Sequence, residues 1–168
     1  MSVLVQQVVN AEYAYVIHTI NPMNNETNEL YAEVVIGMGE TLVGAYPGRA
    51  LSLVVNKTDR SVKILALPNK SVALKTSGHM FRSDSNSEDL VGFAGAGLFD
   101  SYPDAETIEE PLSYKDAEIA RNPDWARAVG EKLLDIGVEI EKLYGEPQDI
   151  EGCIIGSEYY VVQTRPQV

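Results

Sequence analysis

Apolar residues recur along this chain with two different periods. Between Pro123 and Gly145 they fall three and four apart, and Trp125, Val129, Leu133, Ile136, Ile140 and Leu143 mark one face of a helix. The ends of that helix are signalled as well. Asn122 suits the N-cap, Pro123 the first helical position and Asp124 the positive end of the dipole, while Lys142, Gly145 and Pro147 close the far end. The pattern predicts a long core-packing helix. Elsewhere the spacing is that of strands. Val3 to Val9 has a buried-strand composition, and Tyr13 to Ile20 is rich in β-formers until Asn21-Pro22 and Asn24-Asn25 break it. Leu30 to Ile36 is the next strand, ending in Gly37-Met38-Gly39. Ala50 to Asn56 and Ser61 to Leu67 read as a hairpin around Lys57-Thr58-Asp59-Arg60, closed by Pro68-Asn69-Lys70. Strand-like runs begin at the first residues and continue to Pro166-Gln167-Val168. The expectation is one α+β lobe over residues 1–168, excised from a longer polypeptide, with a mostly antiparallel sheet.

Composition narrows the function classes. A chain of 168 residues with 45% hydrophobic and 23% charged residues is ordinary for one globular domain. No apolar run approaches the ~20 residues of a membrane-spanning helix. Thirteen Lys and Arg against 25 Asp and Glu leave a formal charge of −12. No Lys or Arg precedes Arg49, which argues against a signal or transit peptide at this end. Ser83 to Tyr114 holds eight acidic residues and no basic one. Duplex nucleic acid and anionic membranes are therefore poor partners. The lone Cys153 excludes an intrachain disulfide and a cysteine zinc site, and fits a reducing compartment.

Three segments could carry chemistry. The richest is Asp149 to Arg165, two strands around a Gly156-Ser157 turn. A two-residue turn there puts Glu151 and Gln163 on opposite faces of the hairpin. A three-residue turn, Gly156 to Glu158, sets Glu151 opposite Gln163 and Asp149 opposite Arg165, all on one face. That face would offer carboxylate and amide oxygens to a hard cation and a guanidinium to phosphate. The plainer alternative is a hairpin with a solvated polar face. Gly37-Met38-Gly39-Glu40-Thr41-Leu42-Val43-Gly44 follows a strand and could let backbone approach a ligand, with Glu40 holding a ribose hydroxyl or a metal; alternatively it is a turn. Phe81 to Leu90, followed by Gly92, Gly95 and Gly97, suits either a loop wrapping a polyphosphate around Arg82 or an acidic surface loop.

Taken together these segments resemble the nucleotide-binding domain of the dikinases, a group that includes pyruvate, phosphate dikinase, phosphoenolpyruvate synthase and the glucan, water dikinases. Tyr13 to Thr19, Gly39 to Leu51, Phe81 to Asn86 and the ending Asp149 to Pro166 carry the likeness, most strongly to the glucan, water dikinases. The resemblance implies a lobe of the ATP-grasp type, the C-terminal part of an ATP-binding domain, with a long C-terminal helix and a terminal β-hairpin. It implies that Glu151 and Gln163 hold Mg²⁺ on the phosphates of ATP, and that Arg165, flanked by Asp149, contacts phosphate. It further implies that Glu40 lies near the nucleotide, that Gln6, Gln7 and Val9 belong to the strand beside the adenine, and that Arg82 contacts phosphates. Arg82 and Arg165 would be the catalytic cations. In the relatives the Arg-Ser motif precedes the Gly-x-Gly-Glu segment, whereas here it follows; Ser87 and Met38 stand where glycine and leucine are usual.

The family reaction passes the β-phosphate of ATP through a histidine of a separate upstream domain to an α-glucan such as starch, the γ-phosphate going to water, mostly in plastids. The phosphohistidine domain and the smaller lobe that closes over ATP are expected upstream. His18, alternating with Val16 and Ile20, reads as a core or edge histidine, and His79 has no matching motif, so neither is expected to accept phosphate. The chain alone is accordingly expected to be inactive. Two rival readings come from other classes. Nine tyrosines and one tryptophan could stack on sugars in a carbohydrate-binding module, although Trp125 falls on the apolar helix face. The acidic stretch from 83 to 114 could instead dock a protein partner.

Overall fold

The computed structural model describes residues 2–44, 46–84, 89–90, 93–94 and 101–167. In chain order the elements are β1 (Ser2–Gln7), β2 (Tyr13–His18), β3 (Glu29–Ile36), α1 (Glu40–Val43), β4 (Leu51–Asn56), β5 (Val62–Ala66), β6 (Val72–Lys75) and β7 (His79–Asp84). There follow β8 (Asp89–Leu90), β9 (Phe93–Ala94), β10 (Ser101–Pro103), β11 (Ile108–Pro111), α2 (Glu118–Arg121), α3 (Pro123–Tyr144), β12 (Gln148–Ile155) and β13 (Glu158–Pro166). Six strands form the main sheet in the order β13-β12-β2-β3-β4-β5, and all of its neighbours are antiparallel. A second sheet, β1-β7-β10, is also antiparallel.

The period of two in β3 explains how the main sheet is layered. Leu30, Ala32 and Val34 point to one face, where they meet Ile17 of β2, Leu51, Leu53 and Val55 of β4, and Val129, Leu133 and Leu134 of α3. Val35 points the other way into a small cluster with Ala14, Ala50 and Leu42 of α1. α1 covers part of that second face, and the small sheet lies over another part of it, linked through Gln6 to Val162 and through Arg82 to Gln163.

Local signals account for α3. The Asn122 side chain accepts from the backbone N–H groups of Asp124 and Trp125, both at 3.1 Å, and Gly145 closes the helix in the left-handed conformation. The buried stripe differs in part from the expected one. Ala126, Val129, Gly130, Leu133, Leu134 and Gly137 are buried, whereas Leu143 is 77% exposed, because the last turn runs past the edge of the core. Small residues bring the helix close to the sheet: a Cβ on Gly137 would lie 2.5 Å from Cδ1 of Leu30.

The first strand also corrects its expectation. Val3, Leu4 and Val5 are each more than half exposed, so β1 is a strand but not a buried one. Its partner is β7, far along the chain, with Ser2 opposite Asp84 and Gln7 opposite His79. Arg82 therefore sits on a strand rather than in a phosphate-wrapping loop. The continuation of that segment through residues 85–88, 91–92 and 95–100 lies outside the described residues.

Replacing Leu133 by alanine should lower stability by about 2–5 kcal/mol, since it removes a fully buried side chain. Leu143→Ala should change it by less than ~0.5 kcal/mol. Urea melts of the two variants measure the difference, and equal losses would mean that the buried face of α3 is misassigned.

Candidate functional site

The terminal hairpin uses both registers that its sequence allows. Around the Gly156-Ser157 turn, Ile155 pairs with Glu158 and Gly152 with Val161, as a two-residue turn requires. A bulge between Gly152 and Glu151 then shifts the ladder, so that Glu151 lies opposite Gln163 and Asp149 opposite Arg165. Val162 is the residue absorbed by the bulge. A tertiary contact accompanies it. The ring of Tyr15, on the neighbouring β2, crosses Gly152, where a Cβ would lie 2.1 Å from Tyr15 Cζ, and the Tyr15 hydroxyl donates to the Tyr160 carbonyl at 3.0 Å.

Beyond the bulge, polar groups collect on the open face of the sheet. Nε and Nη2 of Arg165 donate to Oδ2 of Asp149 at 2.9 and 2.8 Å, and both side chains are largely buried. Nδ1 of His18 stands 3.7 Å from Oδ1 of Asp149. His18 is thus half-buried on the polar face beside a carboxylate, not a core residue. Nη2 of Arg82 donates to Oε1 of Gln163, joining the small sheet to the large one. Gln6 of β1 makes a second link, its amide donating to the Val162 carbonyl at 3.4 Å. Burial pushes the Glu151 carboxyl above the usual carboxylate range. Arg82 and Arg165 pull it down, while Asp149 and Glu40 push it further up. Five charged side chains therefore share one field.

Between the two sheets lies a cleft of about 140 Å³. Gln6, Gln7, Val8 and Val9 line it from the small-sheet side, Ala14 and Val16 from the main sheet, and Met38 and Gly39 from the turn before α1. Its charged lining residues are Arg82 and Glu151. Of the residues singled out in the sequence, Gln6, Gln7, Val9, Arg82 and Glu151 thus meet in one cavity. Gln163 is bonded to Arg82, and the Asp149–Arg165 pair lies one step further along the hairpin. Glu40 opens α1 immediately after Gly39 and is exposed. Met80 and Cys153 also line the cleft and had no distinguishing sequence signal; burial pushes the Cys153 thiol up, which keeps it protonated. His79 lies apart, its Nδ1 3.0 Å from Oδ2 of Asp104. Among the described residues no group of three or more His, Cys, Asp and Glu could hold a metal by itself.

An apolar cleft lined by Arg82 and Glu151, with the Gln163 amide and the Arg165 guanidinium just beyond it, has the make-up of a site for a ligand with an apolar body and a charged end. Comparison with known families agrees. The chain belongs to the family described as "Pyruvate phosphate dikinase, AMP/ATP-binding domain", which it matches over residues 1–168. It is 51% identical over 170 residues to alpha-glucan water dikinase 1, chloroplastic, of Arabidopsis thaliana, and 49% identical to alpha-glucan water dikinase, chloroplastic, of Citrus reticulata. Each match covers 100% of this chain and 12% of the relative, so the chain spans about an eighth of those proteins. It is also 30% identical over 166 residues to a probable phosphoenolpyruvate synthase of Methanocaldococcus jannaschii, covering 99% of this chain and 12% of that protein. The family and these relatives support a kinase-like ATP-binding domain in a phosphotransferase family.

Because the folded-state pKa of Glu151 is raised, the folded protein holds that proton more tightly than the unfolded chain does. The stability it contributes is full below the unfolded pKa and is lost as pH rises through the folded one. Glu151→Gln should therefore be neutral or stabilising at pH 7 without ligand, with the gain shrinking as pH falls toward 5. Thermal melts across that range test this, and a variant that is less stable at pH 7 would contradict it.

Proposed function

We propose that this domain is an ATP-grasp-type lobe that holds Mg·ATP for a glucan, water dikinase. The observation that carries the reading is the shifted hairpin register, which sets Glu151 beside Gln163 with Arg82 and Arg165 next to them. Gln6, Gln7 and Val9 would flank the adenine in the apolar part of the cleft. Arg82 and Arg165 would contact the phosphates, with Asp149 orienting Arg165 through two hydrogen bonds and Glu40 closing the site from the start of α1.

The donor set suits Mg²⁺. Glu151 and Gln163 offer hard oxygen ligands, and a magnesium site usually takes one or two protein oxygens and fills the rest of its shell from phosphates and water. The ion would neutralise phosphate charge inside a strongly acidic protein. The protein's own residues would do the positioning: Arg82 holds Gln163, Asp149 holds Arg165, and the apolar cleft excludes water from the base. In the whole polypeptide, the β-phosphate would pass through a phosphohistidine on an upstream domain to a glucosyl hydroxyl of a starch-like glucan, and the γ-phosphate to water. An upstream lobe would close over the nucleotide. The two chloroplastic relatives favour a plastid setting for that enzyme.

The rival readings have less support. Trp125 packs against Tyr13 with ring centroids 4.9 Å apart, and Tyr15 against Tyr159 at 6.3 Å, which occupies these rings in packing rather than sugar stacking. Much of the acidic stretch proposed for docking lies outside the described residues.

Calorimetry of Mg·ATP binding tests the proposal. Wild-type binding should require the metal, and both Glu151→Ala and Arg165→Ala should reduce it by about tenfold or more. The same two substitutions in the full-length polypeptide should abolish glucan phosphorylation, while the 168-residue chain alone should not phosphorylate glucan. Full-length protein that binds Mg·ATP equally well with and without the two side chains would refute the assignment.

A further inference from the structure

On the same face of the main sheet, α1 stands between the nucleotide cleft and a second cavity. Gly39, just before α1, lines the first, and Leu42, within it, lines the second. The second cavity measures about 260 Å³. A single water needs only ~10–15 Å³, so there is room for a small solvated ion. Glu33 of β3, Ser52 of β4, Arg49 and Lys70 supply its polar lining.

The charges around this cavity are held apart. Lys70 is 7% exposed, and its ammonium donates to the Tyr46 carbonyl at 2.7 Å. No carboxylate of the described residues lies within 4.0 Å of it, an expensive arrangement for a buried cation. Glu33, half-buried, likewise has no cation within 4.0 Å among the described residues. Instead Oε1 of Glu33 accepts from the Tyr31 hydroxyl at 2.7 Å and from Ser52 at 3.2 Å. Tyr31 is pushed up to about 12, chiefly by burial, so its hydroxyl remains a donor at neutral pH. Neutral donors fix the carboxylate and a carbonyl fixes the ammonium, while the gap between them stays open.

We propose that this cavity binds orthophosphate in a protonated form, with Lys70 and Arg49 taking the anionic oxygens and Glu33 accepting from a P–OH. The carboxylate supplies the selectivity. A ligand must bring a hydrogen-bond donor to it, or two negative charges face each other at close range. Orthophosphate keeps a P–OH throughout the neutral range. Sulfate has none, and a phosphomonoester loses its last one above a pKa of ~6. The inference stands on Glu33, Arg49 and Lys70 and does not depend on the nucleotide reading of the neighbouring cleft.

Calorimetric titration of the chain near about pH 8 with inorganic phosphate, sulfate and methyl phosphate tests it, that pH lying well above the phosphomonoester pKa. Phosphate should bind, and sulfate and methyl phosphate, neither of which carries a hydroxyl at this pH, should bind at least about tenfold more weakly. Glu33→Gln should bring sulfate to within a few-fold of phosphate. Lys70→Met and the exposed-site variant Arg49→Gln should each weaken phosphate by about tenfold. Arg82→Gln, which alters only the nucleotide cleft, should leave phosphate binding intact. The proposal fails if folded wild type ignores millimolar phosphate or takes sulfate equally well. It also fails if binding is lost in Arg82→Gln but survives in Arg49→Gln, since the anion would then occupy the nucleotide cleft.

Discussion

Tyr15 reaching across Gly152 to the Tyr160 carbonyl is the contact on which the candidate site depends. A hairpin whose two-residue turn ran on unshifted would send Glu151 and Gln163 to opposite faces. The bulge adds one residue to β13 and reverses that relation for everything beyond it. Tyr15 pins the strand just before the shift, and the absence of a side chain at residue 152 is what lets the ring through. A residue of the main core therefore sets the face on which the carboxylate and amide meet. This ties the chemistry to the packing of β2 under α3 rather than to the turn itself.

The second constraint is electrostatic. In a chain of formal charge −12, an anionic ligand can settle only where cations are concentrated locally. On the open face of the sheet they are concentrated twice. Arg82 and Arg165 stand beside Glu151, and Arg49 and Lys70 stand beside Glu33. In both places a carboxylate sits among the cations. An acid there weakens attraction for a bare anion but favours one that carries a metal ion or a proton of its own. One short helix, α1, divides the two places, which explains why a four-residue element lies so close to both.

Legibility from sequence followed the range of the interactions. The helix α3 could be read almost to the residue, because Asn122, Pro123 and Gly145 act on their immediate neighbours. Leu143 was misplaced because periodicity says which face a residue occupies, not where the opposing sheet ends. β1 looked buried by composition, yet its ladder partner is β7, and no local pattern announces a pairing of Ser2 with Asp84. The hairpin register stayed open for the same reason: its resolution lies in Tyr15, on a different strand. Arg82 and Glu151 were each visible as candidates in their own segments, but only the resemblance to a family grouped them and brought in Gln6, since nothing in their spacing does.

Distance along the chain also governs how the cleft is built. Arg82 lies on β7 and Gln163 on β13, the last strand. What the site requires is that the guanidinium reach the Gln163 amide and that β1 lie beside β7, and neither contact refers to chain order. The small sheet meets the large one through Gln6 with Val162 and Arg82 with Gln163, contacts between residues 156 and 81 positions apart. Such contacts form only after both sheets have assembled, so the cleft is a product of the completed fold.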